Sequence, residues 1–223
     1  KDSIEKVFGI NSDYGIGITT TLQKVLKYEP YCGPITNNVK VSLAKGEHEG
    51  FQVVLIPIKK DLENVKIIVE DLKTSNGDVL EREYIKVFPV GYVKTEEPVY
   101  NVDYVGWWPD PLLIDETISV KKGENQPVWI DIYVPENKNS GIYQGEVLIS
   151  PGNSKPFKVK LEVKVWNYTI PKKGHFKVFG RFRPDKLKTF YKWNEIPDDI
   201  LMKWYLFQVE HRWSPTDIYK KSM

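Results

Sequence analysis

The sequence predicts a mainly β protein, an antiparallel β-sandwich of the immunoglobulin-like kind. Three observations indicate it. Apolar and polar residues alternate with a two-residue period, turn signals separate the alternating runs at roughly 8–12-residue spacing, and helical spacing is almost missing before residue 170. A length of 223 residues and a hydrophobic fraction of 41% suffice for a sizeable core. We expect this sandwich to form one domain over residues 1–170.

The individual strands follow from the alternation. It is cleanest over Phe157–Tyr168, where apolar side chains point one way and Lys and Glu the other. Phe51–Ile58 is a mostly apolar run closed by Pro57, as in a strand that is buried on both faces. Asn76-Gly77-Asp78 predicts a hairpin turn, because Asn and Gly tolerate a positive φ. The other strand candidates are Asn38–Leu43, Val65–Val69, Tyr84–Val93, Val128–Val134 and Glu146–Ile149.

The pattern changes after Ile170. The basic, proline-started stretch 171–175 is interpreted as an interdomain linker. A strand candidate, Phe176–Phe182, precedes the one convincing helix, which starts at Pro197-Asp198-Asp199 and carries His211 and Arg212 in its last turn. A strand followed by a helix is the first half of a βαβ unit, which needs a second parallel strand. The remaining residues up to Met223 provide no convincing candidate for one.

Composition excludes several function classes. The formal net charge of +2 argues against nucleic acid as a partner, and no run reaches the roughly 18 apolar residues of a membrane span. The single cysteine, Cys32, excludes an internal disulfide framework and a cysteine zinc site, and the three His are far apart. Phosphate-binding glycine loops and nucleophile elbows are not found. We therefore expect no metal site and no cofactor.

Two acidic motifs are candidates for catalysis or metal binding. Asp115-Glu116 could act as paired carboxylates, but strand neighbours point to opposite faces, so we interpret them as solvated acids where a loop enters a strand. Glu47-His48-Glu49 could be a fragment of a metal site, yet a polar turn leading into Phe51 is the favoured interpretation. No catalytic residue is assigned.

The segment from Gly106 to Leu112 is the strongest local oddity. It contains Trp107 and Trp108 beside two prolines, which lack the donor that a central strand needs, so a loop is predicted. Its indoles either pack against the protein or form a stacking surface for sugar, with Trp107, Trp108 and Asp110 as contacts. His211 and Arg212 are either helix-end residues or further substrate contacts.

Several motifs, in order, resemble the N-terminal β-sandwich of glycoside hydrolase family 123 and its relatives with an uncharacterised catalytic domain. The resemblance covers about residues 20–215. The motifs are Glu47-His48-Glu49-Gly50-Phe51-Gln52 at a strand entry, Trp107-Trp108-Pro109-Asp110-Pro111-Leu112, Gln126–Pro135, Gly141–Val147, Val163–Trp166 with Ile170-Pro171, and His211–Pro215.

The resemblance implies a two-domain glycosidase, in which the sandwich precedes a (β/α)8 catalytic barrel. Family members cleave terminal β-linked N-acetylgalactosamine with assistance from the 2-acetamido group of the substrate, and an adjacent Asp-Glu pair on a barrel strand orients that group and acts as general acid. Asp115-Glu116 does not match this pair. The barrel would begin with strand Phe179–Phe182 and helix Asp198–Arg212. Because a barrel needs about 250 residues, 176–223 is expected to be a truncated start.

Three hypotheses follow. In the leading hypothesis, the chain is the non-catalytic N-terminal portion of a family 123-like hydrolase. It is then inactive alone, and glycan is a partner only as the substrate of the parent enzyme. The alternatives are an independent carbohydrate-binding module that uses Trp107 and Trp108, and a structural, adhesion-type sandwich. Residue 1 is Lys rather than Met, so a mature product or an excised segment is expected. A secreted or cell-surface location is favoured through the family resemblance only.

Overall fold

The computed structural model of the protein describes residues 6, 7, 9, 12–173, 175, 176 and 178–216. The chain divides into two compact units, Lys1–Ile170 and Pro171–Met223.

The first unit is a sandwich of two β-sheets. The first sheet contains, in spatial order, β1 (Tyr14–Thr20), β3 (Glu47–Pro57), β10 (Gln126–Val134), β7 (Ile85–Lys94) and β8 (Trp107–Leu112). The second contains β2 (Asn38–Lys45), β12 (Phe157–Thr169), β11 (Gly141–Ser150), β4 (Leu62–Val69) and β9 (Ile118–Val120), with the short hairpin β5 (Leu72–Lys73) and β6 (Val79–Leu80) beside β11. A 3₁₀ turn, Arg82–Tyr84, precedes β7. The predicted sandwich is thus confirmed.

The core is formed by the alternate residues of both sheets. On β12, the apolar residues predicted to share one face, from Val159 to Val165, are 0–3% exposed, while Lys158 and Lys160 point outward. On β3, Phe51 and Val53 face the core, and Gln52 and Val54 on the opposite side are buried too. Both faces of β3 are therefore buried, as its apolar run predicts.

Tyr143, near the start of β11, is fully buried in the core. Its hydroxyl donates a hydrogen bond to the backbone carbonyl of Asn139, 2.8 Å away and four residues upstream. This arrangement matches the tyrosine corner of immunoglobulin-like sandwiches, which fixes the entry of the chain into a strand. Burial raises the pKa of the Tyr143 hydroxyl.

One pair of strands departs from the antiparallel expectation, since β2 and β12 run parallel, with Val39 opposite Leu161. The chain changes sheets between β2 and β3 at Gly46, whose φ of 76° lies in the left-handed region. The Gly46 N–H donates to the Val134 carbonyl at 2.6 Å. The polar turn predicted at Glu47-His48-Glu49 is wrong: the turn is Gly46, and those three residues begin β3.

The loop predicted at Trp107–Leu112 is also wrong, because these residues form strand β8. β8 lies at the edge of its sheet and pairs only with β7 among the described strands. An edge strand tolerates Pro109 and Pro111, because it has a neighbouring strand on one side only. The N–H donors that the prolines lack are not needed on the other side. The reasoning that prolines exclude a central strand holds, but it does not exclude an edge strand.

The second unit contains β13 (Phe179–Arg181), α1 (Asp185–Tyr191), α2 (Asp198–Glu210) and β14 (Ser214–Thr216). β14 pairs with β13 in parallel, so the prediction that no second parallel strand follows is wrong. Helix α1 was not predicted. It is short, has no side-chain cap, and ends on Lys192 in the left-handed conformation rather than on a glycine.

Helix α2 is apolar around most of its circumference, and none of its residues is buried. An amphipathic surface helix normally shows one apolar stripe, whereas a helix apolar on most sides belongs inside a larger core. Five apolar residues of α2 are at least 39% exposed: Met202, Trp204, Leu206, Phe207 and Val209. The described part of this unit buries only a fraction of the apolar surface that it carries. Neither described helix reaches the length and hydrophobicity that a membrane crossing requires.

Candidate functional site

Trp107 and Trp108 lie side by side on β8, opposite Lys94 and Val93 of β7. Both indoles are half-buried. Because successive residues of a strand project to opposite faces, the two rings do not form one continuous platform. They offer two separate aromatic surfaces at the edge of the sheet.

Trp107 belongs to an aromatic cluster around Lys27. The Lys27 Nζ lies 5.2 Å from the centroid of the Trp107 ring, 5.4 Å from that of Tyr28 and 5.9 Å from that of Tyr92. It also forms an ion pair with Glu124 Oε1 at 3.4 Å. Distances below about 6 Å over ring faces are those of cation–π contacts. One face of the Trp107 ring is therefore occupied by an ammonium group of the same chain.

Hydrogen bonds hold Lys27 in this position. The buried Asn125 side chain donates to the carbonyls of Leu26 and Glu29 at 3.0 and 2.6 Å. The Tyr92 hydroxyl donates to the carbonyl of Val25 at 3.0 Å, and burial raises its pKa. Sequence reasoning missed this cluster, because Lys27 is at least 65 residues away from Tyr92, Trp107 and Asn125, and no local pattern links them.

Trp108 has a different neighbourhood. The Tyr104 ring meets it edge-on, with 5.5 Å between the ring centroids. Tyr104 lies in the loop 95–106, which is closed at its base where the Thr95 N–H donates to the Gly106 carbonyl at 2.8 Å. Asp110, two residues beyond Trp108, is exposed. The structure therefore places Trp107, Trp108 and Asp110 on one edge strand, with the two indoles in distinct surroundings.

His211 and Arg212 lie in the second unit, just beyond α2 rather than in its last turn as predicted. Arg212 is in the left-handed conformation with φ 60°. Its N–H donates to the Val209 carbonyl and the Trp213 N–H to the Gln208 carbonyl, both at 2.9 Å. These two bonds make a Schellman motif. Both residues are exposed, and they precede the amino end of β14, whereas ligands of parallel sheets bind beyond the carboxyl ends.

None of the acidic residues of the described chain is buried. Asp115 and Glu116 are both exposed in the loop before β9, as predicted for solvated acids. Four carboxyls have a lowered pKa, chiefly through a hydrogen bond from a neighbouring side chain: Asp13 from Ser154, Glu81 from Lys138, Glu162 from Lys40 and Asp185 from Arg183. Each is thereby stabilised as a carboxylate. Within the residues that the structure describes, no group of three His, Cys, Asp or Glu side chains could hold a metal ion.

Comparison with solved structures supports the fold. A family 123 glycoside hydrolase from Clostridium perfringens, whose structure addresses glycolipid glycan hydrolysis, is 19% identical with a TM-score of 0.73. The match covers 87% of this chain and 35% of that chain, so this chain spans about a third of that hydrolase. A PapD-like domain of human CEP192 is 11% identical with a TM-score of 0.37, covering 69% of this chain and 87% of that domain. The periplasmic chaperone SfaE is 10% identical with a TM-score of 0.34, and the match covers 75% of this chain and 66% of that chain.

None of the curated proteins matches this sequence. A family model, by contrast, does match: the N-terminal domain of glycoside hydrolase 123 corresponds to residues 27–151, more than half of the chain. That range extends from the segment that carries Lys27 to the end of β11, and it includes both indoles of β8. The chain belongs to the glycoside hydrolase 123 N-terminal domain family.

Proposed function

We propose that this chain is the non-catalytic N-terminal part of a glycoside hydrolase whose active site is built from residues outside this sequence. The observation that carries the proposal is the extent of the match. The family model corresponds to residues 27–151, which lie within the sandwich, and the region that the C. perfringens hydrolase shares with this chain is 35% of that hydrolase. The pKa of each of these four carboxyls is lowered, whereas a carboxyl that acts as a general acid needs a raised pKa.

The second unit is proposed to be the opening of a (β/α)8 catalytic barrel. Its two strands are parallel and are separated by helices, as in one repeat of such a barrel. The exposed apolar surface of α2 supports continuation of the fold, because further strands and helices of a barrel would cover it. A closed barrel needs about 250 residues, so the unit alone cannot form its active-site face.

The proposed substrate of the parent enzyme is a glycan that ends in β-linked N-acetylgalactosamine, as on a glycolipid. In the substrate-assisted reaction, the 2-acetamido oxygen attacks the anomeric carbon, and the glycosidic oxygen leaves with a proton from a general acid. The Asp that orients the acetamido group and the Glu that gives the proton are proposed to lie beyond this sequence. The sandwich is proposed to contribute no group that touches the reacting atoms.

Hydrolysis of a chromogenic β-N-acetylgalactosaminide tests the proposal directly. The 223-residue chain should release no chromophore above the rate in buffer. A longer protein that includes the rest of the barrel should show turnover. Release of chromophore by the 223-residue chain alone, retained after purification to homogeneity, would contradict the proposal.

The half-exposed indoles of β8 support a second candidate function, carbohydrate binding at the sheet edge through Trp107, Trp108 and Asp110. Since Lys27 occupies one face of Trp107, Trp108 is expected to contribute more of the stacking. Replacing Trp108 by Ala should then weaken glycan binding more than replacing Trp107. Unchanged binding in both variants would leave β8 with a structural role only.

A further inference from the structure

The central strand of the first sheet, β10, presents a row of polar and aromatic side chains to the outside of the sandwich. Trp129, Asp131 and Tyr133 are half-buried, and they alternate with core residues such as Ile130 and Ile132, which are fully buried. Residues two apart on a strand are separated by about 6.6 Å, so the row extends over about 13 Å. We refer to this row, with the neighbouring His48, as the β10 strip.

At one end of the strip, Trp129 lies against the backbone of Gly50. A Cβ on Gly50 would lie 3.1 Å from Trp129 Nε1 and 3.1 Å from Thr21 Cγ2, so the missing side chain makes room for the indole. No acceptor among the described residues bonds the Trp129 N–H. Among the described residues, every buried side-chain nitrogen has a hydrogen-bond partner. The Trp129 N–H has none, so it is exposed to solvent.

The other end of the strip contains a paired imidazole and carboxylate. His48 Nδ1 lies 2.8 Å from Asp131 Oδ2, with the His48 side chain 58% exposed and that of Asp131 23% exposed. The His48 ring stacks on Tyr133 with 4.6 Å between centroids and an interplanar angle of 28°. This pairing fixes both side chains, and it leaves His48 Nε2 and Asp131 Oδ1 with no partner among the described residues.

We propose that the β10 strip is a binding site for a neutral oligosaccharide, two strands away from the β8 edge. An indole face suits the apolar C–H face of a pyranose, while the indole N–H, the imidazole and the carboxylate suit hydroxyl groups that both donate and accept. Lys86 lies directly opposite Asp131 on β7, so a cation and a carboxylate occur side by side on this face, and the proposed ligand is uncharged.

The position of the strip argues against an extended peptide as the occupant. Peptides that add to sheets pair with an exposed edge through backbone hydrogen bonds. β10 lies between β3 and β7 and is hydrogen-bonded to both, so it has no free edge. The ligand must therefore be recognised by side chains, as a sugar is. The inference does not depend on the location of the parent's catalytic residues.

The test measures binding of the 223-residue chain to uncharged trisaccharides of glucose, galactose, N-acetylglucosamine or N-acetylgalactosamine, by calorimetry and tryptophan fluorescence. At least one of them should bind and change the emission. Trp129→Ala should weaken that binding roughly tenfold or more, as expected for an aromatic anchor. Asp131→Asn should weaken it several-fold. Trp166→Ala is the matched control, since Trp166 is 40% exposed on the opposite sheet, and it should leave the affinity unchanged.

The outcomes separate clearly. Binding that survives Trp129→Ala but is lost in Trp108→Ala would overturn the assignment and place the site at β8. Absence of binding to all four trisaccharides at millimolar concentration would also overturn the assignment. We would then infer that another protein domain covers the strip. Because Trp129→Ala could weaken folding, Trp129→Phe serves as a second variant: it keeps a stacking ring, and it should retain part of the affinity. Complete loss of binding in a folded Trp129→Phe would contradict the stacking argument.

Discussion

The Trp213 indole lies directly over Gly180, in the space that a side chain at position 180 would need. Gly180 is the middle residue of β13, opposite Pro215 of β14. The Ser214 N–H beside the indole donates to the Val178 carbonyl at 2.9 Å. The contact between Trp213 and Gly180 therefore coincides with the start of the parallel strand pair.

Gly180→Ala should destabilise this strand pair by about 1–3 kcal/mol, because the new methyl group forces the indole to move. Hydrogen exchange of the Ser214 amide measures the effect, and it should become faster. In a Trp213→Ala background, Gly180→Ala should destabilise the strand pair much less, since the space is then free. Equal destabilisation in the two backgrounds would contradict the steric explanation.

Tyr143→Phe should lower the free energy of unfolding by about 1–3 kcal/mol. The substitution keeps the buried ring but removes the hydroxyl that bonds the Asn139 carbonyl. Urea denaturation followed by circular dichroism provides the measurement. Tyr168→Phe, at a 57% exposed position, is the control and should change stability little.

Acid should destabilise the sandwich partly through Glu81. Lys138 Nζ lies 2.7 Å from Glu81 Oε1, and this hydrogen bond holds the pKa of the carboxyl below its usual 4.5. A carboxyl with a lower pKa in the folded state stabilises the protein above the unfolded pKa, and this contribution is lost as the pH falls through the folded pKa. The urea midpoint should decline below about pH 5, and Glu81→Gln should make that decline shallower.

The partner variant provides the control for this pH effect. Lys138→Met removes the same interaction from the other side, so its stability should fall below that of the unaltered chain near neutral pH and approach it in acid. A decline of unchanged steepness in Glu81→Gln would show that other carboxyls, such as Asp13 with its Ser154 hydrogen bond, dominate the acid response.

Lys27→Met should destabilise the first unit by about 1–2 kcal/mol, because it removes the cation–π contacts and leaves Glu124 without its ion-pair partner. Thermal unfolding measures the loss, and Lys24→Met at an exposed position of the same segment is the control. A shorter side chain at this position, as in Lys27→Ala, would open one face of Trp107. If Trp107 contacts sugar, the affinity of Lys27→Ala for glycan should rise, and an unchanged affinity would exclude Trp107 as a stacking surface.

Some features of this protein follow from its sequence alone. The alternation of apolar and polar residues over Phe157–Tyr168 predicts β12 and its core face, because a half-buried strand must place every second side chain in the core. The apolar run at Phe51 predicts a doubly buried strand in the same way. The ordered motifs predict the family, which the matched model confirms. Each of these strands, and each single motif, consists of residues close together in the chain.

Other features depend on contacts between distant residues, and only the tertiary structure decided them. Whether Trp107–Leu112 forms a loop or an edge strand depends on the presence of β7 beside it, which a local pattern does not encode. Lys27 reaches Trp107 because Asn125 holds the Glu29 carbonyl across 96 residues of chain. The β10 strip is likewise assembled when His48 of β3 meets Asp131 of β10, 83 residues later. Periodicity shows which face of a strand is buried, but strand pairing determines which side chains meet on the other face.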